Sequence, residues 1–226
     1  IVGPDDMEKH ALVYLVPRFL DPASGEIRID GKDLRWVTLE SLRAQIAMVM
    51  QHDLIFNDTV ANNIACGDPS FTMPRIIEAA KIAHAHQFIM KLPQGYETVI
   101  GELGHSLRHG EMFRVALARA ILRDSAILIV EEPSTPMDDD TKAMIDDTLQ
   151  RVMPERTVIF LAHRLSTIRM CDRVVLLYQG QIEAAGAHKE LLNASELYRH
   201  LQYLEFNEYA SLLTPPTAPR PSEPEA

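Results

Sequence analysis

The stretch Ala126-Ile127-Leu128-Ile129-Val130-Glu131-Glu132 is a short, unbroken apolar run that ends in two acids. A run of this length with no polar alternation reads as a strand buried on both faces, the pattern of a parallel sheet covered by helices. Two further runs repeat it, Ile46 to Met50 and Thr157 to Leu161, each followed closely by a polar residue, Gln51 and His163. Arg173 to Tyr178 and Gln181 to Ala185 read as a fourth and fifth strand of the set, and Glu26 to Ile29 as a strand between turns. Helical patterns lie between them. Thr38 to Gln45 reads as a short helix with Thr38 as N-cap, Arg75 to Met90 as an amphipathic core helix, and Asp138 to Met153 as a third helix. Strands alternating with helices predict an α/β fold with a mainly parallel sheet flanked by helices. The mostly helical stretch from about 57 to 120 reads as a subdomain inserted into the α/β core.

In such sheets, ligands bind beyond the carboxyl ends of the strands. Gln51, Glu131, Glu132 and His163 all fall at such ends. Each alone has an ordinary explanation: acids ending a strand meet solvent, and a histidine after a strand is often a cap. Four of them converging on one sheet edge point to a site. Paired acids there suit a magnesium ion and a general base.

At the start of the chain, Gly3-Pro4-Asp5-Asp6-Met7-Glu8-Lys9-His10-Ala11 resembles a phosphate-binding loop only at Gly3 and Lys9. By itself this is a weak signal, and an ordinary strand–loop–helix corner is the favoured reading.

The bulk numbers set limits. The 226 residues are 46% hydrophobic and 24% charged, enough to bury a core without staples. The net charge of -10, with no basic stripe, argues against a nucleic-acid partner. Cys66 and Cys171 lack metal-ligand spacing, and a reducing compartment fits them. No apolar run approaches the ~18 residues of a membrane helix. Residues 214–226, with Pro215, Pro216, Pro219, Pro221 and Pro224, are expected to be a disordered tail, leaving 1–213 as the folded domain.

The order of these features resembles the nucleotide-binding domain of ATP-binding cassette (ABC) exporters, over roughly Ile1 to Phe206. The stretches that carry the resemblance are Pro17-Arg18-Phe19, Gly25 to Gly31, Leu39 to Arg43 before Gln51, and Phe56 to Val60 with Asn63-Ile64 and Gly67. Further along are Leu92 to Tyr96, Gly101-Glu102, Ala118-Arg119-Ala120 and His163 to Thr167. The resemblance implies a P-loop NTPase-like fold whose first strands lie upstream of Ile1. It implies ATP and Mg²⁺ as ligands and a second nucleotide-binding domain as partner, in a homo- or heterodimer. It also implies a transmembrane domain fused upstream, placing the chain on the cytoplasmic face of a membrane.

Site roles follow by position. Gly3, Lys9, His10, Ala11 and Gln51 fall in the nucleotide site, with Glu131 and Gln51 toward the metal. Glu132 holds the place of the catalytic base, His163 that of the His loop and Asp138 that of the D-loop acid. Leu107-Arg108-His109-Gly110-Glu111 stands where the family has its signature L-S-G-G-Q, and the segment from Gly3 stands where the family reads G-P-S-G-S-G-K-S-T. Asp6 and Glu8 therefore replace glycines, His10 replaces the metal-binding hydroxyl, Arg108 replaces serine and Glu131 replaces Asp. Pro133 and Pro136 stiffen the D-loop connection. The acids Asp5, Asp6 and Glu8 are expected to bring negative charge to an anion site, at up to ~4 kcal/mol per like-charge contact before relaxation and screening. Three functions stay open: a degenerate cassette with weak ATP binding, a residually active ATPase, and a non-nucleotide scaffold.

Overall fold

The computed structural model describes residues 1–51 and 55–205. In chain order it holds α1 (Asp6–Leu15), a small hairpin β1 (Arg28–Ile29) and β2 (Lys32–Asp33), α2 (Leu39–Ala44), β3 (Ile46–Val49) and β4 (Asp58–Thr59). There follow α3 (Val60–Ala65), α4 (Met73–Ile82), α5 (His86–Ile89), β5 (Val99–Ile100), α6 (His109–Arg123) and β6 (Ile127–Glu131). The chain continues through α7 (Asp139–Val152), β7 (Thr157–Leu161), α8 (Leu165–Met170), β8 (Val174–Tyr178), β9 (Gln181–Gly186), α9 (His188–Ala194) and α10 (Glu196–Glu205).

The three apolar runs are neighbours. β3 pairs with β6, and β6 with β7, both in parallel, with Val49 opposite Val130 and Glu131 opposite Leu161. Their side chains alternate between two cores. Ile46, Ile129 and Leu161 face one side, against Val13 of α1 and Leu42 of α2. Ala47, Val49, Leu128, Val130 and Phe160 face the other, against α3, α6 and α7. Burial on both faces is why these strands carry no polar alternation. Ile1 and Val2 run beside β7 and β8: the nitrogen of Ile1 donates to Phe160 O (2.6 Å), Val2 N to Val175 O (2.9 Å) and Leu177 N to Val2 O (2.9 Å). β8 and β9 form an antiparallel hairpin, so the fourth and fifth predicted strands do not both extend the parallel order.

Two local features differ from expectation. The helix predicted over 75–90 is two helices, α4 and α5, parted at His84, which sits at φ 52°. The left-handed residue closes α4, with Ala85 N donating to Ala80 O at 2.7 Å, and it seats Ala83 and Ala85 in the core. Within the mostly helical stretch, β4 and β5 form a short antiparallel pair. The cap on α2 is as predicted: Thr38 Oγ1 accepts from Ser41 N at 3.3 Å. Among the described residues no helix is long and apolar enough to cross a membrane. The proline-rich stretch 214–226 lies outside the described residues.

Candidate functional site

Parallel pairing aligns the carboxyl ends of β3, β6 and β7, and the four polar residues predicted there are brought together. Gln51 N donates to Glu131 Oε2 at 3.1 Å, and its side-chain amide donates to Ser134 Oγ. His163 N donates to Glu132 Oε2 at 3.0 Å. Burial pushes the His163 imidazole below its ordinary value, so the ring is neutral near pH 7.

The segment after Gly3 turns into helix early. Asp5 is the N-cap, its Oδ1 accepting from Met7 N at 2.8 Å, and α1 has already begun at Asp6. The Met7 N–H at this helix end is therefore bonded to a carboxylate of the chain. Gly3 has a packing reason: a Cβ there would stand 2.5 Å from Leu177 O in β8.

Lys9 is buried, at 3% exposure, and its ammonium is 2.7 Å from Asp6 Oδ1. The hydrogen bond from Lys9 holds the Asp6 carboxyl below its ordinary value. Of the three acid side chains, Asp6 is the one paired with the Lys9 ammonium. Glu8 turns away, its Oε1 accepting from Gly180 N at 2.8 Å in the β8–β9 turn, which corrects the expectation that all three acids crowd one anion site. At the next residue after Lys9, His10 Nε2 lies 2.7 Å from Glu131 Oε1. The longer side chains at 10 and 131 meet across the space between α1 and β6. Ala11 is exposed.

Glu132 is fully buried, and its carboxylate is held by Arg164, by Thr167 and by two backbone N–H groups. Asp138 is the N-cap of α7: Oδ1 accepts from Thr141 N and Oδ2 from Thr141 Oγ1, both at 2.8 Å. The hydrogen bond from the Thr141 backbone holds its carboxyl below the ordinary value.

At the start of α6, Leu107 is buried while Arg108 and His109 are exposed. Glu111 Oε2 accepts from Arg108 N at 2.9 Å, one half of a capping box; the other half cannot form because arginine has no acceptor. A Cβ on Gly110 would stand 2.6 Å from Thr141 Cγ2, so this glycine lets α6 approach α7.

Two openings flank the residues after β6. A cleft of about 440 Å³ is lined by Asp6, Lys9, Ser134, His163 and Arg164 among others. A second pocket of about 250 Å³ holds Gln51 and His109. Pro133 and Thr135 line both. Sequence reasoning missed Asp6 as the partner of Lys9, the pairing of His10 with Glu131, and Arg164 and Thr167 as partners of Glu132. One signal was present: the departures at 10 and 131 both lengthen a side chain, as two residues that meet would.

The ABC transporter family pattern matches residues 1–135. The chain is 48% identical over 207 residues to an ATP-dependent lipid A-core flippase of Syntrophus aciditrophicus (strain SB), covering 92% of this chain and 34% of that protein. It is 44% identical over 205 residues to an ATP-dependent lipid A-core flippase of Desulfotalea psychrophila (strain LSv54 / DSM 12343), covering 91% of this chain and 36% of that protein. A solved structure of a bacterial Atm1-family ABC exporter with ATP bound superposes with a TM-score of 0.82 at 40% identity, over 88% of this chain and 35% of that one. The chain thus spans about a third of the length of the relatives it matches. The parallel sheet, the residues at its carboxyl edge and these likenesses agree: the chain belongs to the ABC transporter family, as an exporter-type nucleotide-binding domain.

Proposed function

We propose that this nucleotide-binding domain is closed at its triphosphate end by its own carboxylates, so that it binds ATP weakly and does not hydrolyse it at an appreciable rate. The observation that supports this reading most directly is the pair of buried Lys9 with Asp6 at 2.7 Å. The cation that would meet phosphate already holds an anion, and a ligand must displace it.

The metal end points the same way. Glu131 and Gln51 are the residues that would hold Mg²⁺, yet Glu131 Oε1 faces His10 and Oε2 accepts from Gln51 N. As they stand, these residues do not fit a magnesium triphosphate, and we derive no hydrolytic step through it. Transition-state stabilisation in phosphoryl transfer needs the charge clamp and the metal together, so loss of both lowers turnover steeply.

The rest of the assembly belongs to the same proposal. Residues 1–213 form the cassette, with 57–120 as its inserted lobe. The region from Leu107 to Glu111 faces a second nucleotide-binding domain. A transmembrane domain joined upstream holds the pair at the cytoplasmic face of a membrane. In a homodimer both composite sites take an altered loop and an altered signature. In a heterodimer the partner supplies one sound element to each site.

Titration calorimetry with ATP and Mg²⁺ on the 226-residue chain tests this. A Kd of about 1 mM or weaker is expected, a binding free energy near -4 kcal/mol. Micromolar binding would overturn the closed loop and call for an ATPase assay with Glu132→Gln as control. No binding at all would favour the scaffold reading.

A further inference from the structure

A carboxylate takes a proton from an attacking water only if one of its lone pairs faces that water. Glu132 has none to offer. Oε1 accepts from Arg164 Nε (2.7 Å), Arg164 Nη2 (2.5 Å) and Thr167 Oγ1 (2.5 Å). Oε2 accepts from His163 N (3.0 Å) and Arg164 N (3.1 Å). Five donors saturate the roughly four lone-pair sites of a carboxylate, and the residue is 0% exposed. The same guanidinium reaches further: Arg164 Nη1 donates to Lys142 O of α7 at 3.5 Å and lies 2.8 Å from Asp146 Oδ1, an ion pair without hydrogen-bond geometry. One planar fork therefore ties together the end of β6, the loop after β7 and the body of α7. A lysine supplies the charge but not the fork that spans both carboxylates. Arg164 also lines the cleft that holds Lys9 and His163, so the clamp sits at the wall of the site and not behind it.

We infer that Arg164 is a positioning residue that locks Glu132 out of the cleft, and that release of this clamp is what makes Glu132 available as a base. The inference rests on the reading of this edge as a cassette ATPase site, and it adds a second barrier to turnover, independent of the Lys9–Asp6 pair. No expectation from spacing singled out Arg164.

The first arm of the test needs no nucleotide. Thermal unfolding is measured on the 226-residue chain, on Arg164→Met, on Glu132→Gln and on the double variant. Arg164→Met orphans a buried carboxylate, and its Tm is expected to fall by about 10 °C. Adding Glu132→Gln removes that charge and is expected to recover at least half of the loss. Additive losses would overturn the clamp. Arg164→Lys serves where the methionine variant does not fold.

The second arm reads catalysis, in the background Asp6→Gly, Glu8→Gly, His10→Ser. There Arg164→Lys is expected to raise kcat for ATP about tenfold, equivalent to about 1.4 kcal/mol, with KM unchanged. An unchanged or lower kcat with ATP still bound would overturn the gating role. If the loop-restored protein binds no ATP, it is the proposed function that fails, and the unfolding cycle alone decides the clamp.

Discussion

The amino ends of α1 and α6 carry the two segments that the family resemblance aligns with the phosphate loop and the signature motif, and this chain treats them in opposite ways. At α1 the acids come first. Asp5 caps the helix, Asp6 holds the buried Lys9, and Glu8 is drawn off to Gly180. At α6 an arginine and a histidine come first. Arg108 and His109 lie open to solvent, and a single carboxylate, Glu111, bonds back to the cap N–H. One end is filled from within and the other is not. Yet both keep a glycine, and for the same reason. Gly3 is pressed against Leu177 O and Gly110 against Thr141. Where the family has glycine and this chain has Asp6, Glu8 or His109, the side chain reaches solvent or a partner with room for it. The glycines held by packing stay, and the positions with room for a side chain are the ones that have changed.

That separation can be broken most sharply at the glycines. Gly3→Ala drives a Cβ into a backbone carbonyl that cannot rotate away, and a loss of about 3 kcal/mol is expected by denaturant unfolding. Gly110→Ala meets the methyl of a threonine that can change rotamer, and about 1 kcal/mol is expected. Equal losses would mean that the two helix ends are packed alike.

The loop triple variant, Asp6→Gly with Glu8→Gly and His10→Ser, sharpens the other side of the comparison. It is expected to bind ATP at least tenfold more tightly than the parent chain, a gain of about 1.4 kcal/mol by calorimetry. No gain would show that the acids at α1 are not what keeps phosphate out.

The smallest effect is expected at Asp6 itself. Its side chain is 65% exposed, so the pair with Lys9 contributes under about 1 kcal/mol after solvent screening. The folded carboxyl titrates below the ordinary 3.8 because Lys9 donates to it. Its contribution is therefore fully present above that value and is lost as pH falls through the lower folded one. The stability gap between the parent chain and Asp6→Asn should be open at neutral pH and close in acid. A gap that widens in acid would reverse the assignment.

Much of the fold was legible because burial on two faces leaves a local mark. Ile46 to Val49, Ile127 to Val130 and Val158 to Leu161 are apolar at every position, and that alone named the central strands. The break at His84 was not legible. The pattern from Ile76 to Phe88 stays helical across it, and only the packing of Ala83 and Ala85 makes a left-handed residue there worth its conformational cost. The antiparallel turn of β9 onto β8 was hidden for a similar reason, since Gln181 to Ala185 reads as a strand whichever way it runs.

The sequence by itself determined which residues stand at the carboxyl edge of the sheet. Each apolar run breaks off at its carboxyl end just before Gln51, Glu131-Glu132 or His163, and where a run ends is a local property of the chain; the parallel pairing that lines these ends up is not. Only the tertiary structure decided what those residues hold. Lys9 could face a ligand or Asp6, Glu131 a metal or His10, and Glu132 a water or Arg164. Each choice turns on which side chain arrives within about 3 Å, and a hydrogen bond across 121 residues, such as that from His10 to Glu131, leaves no period in the sequence.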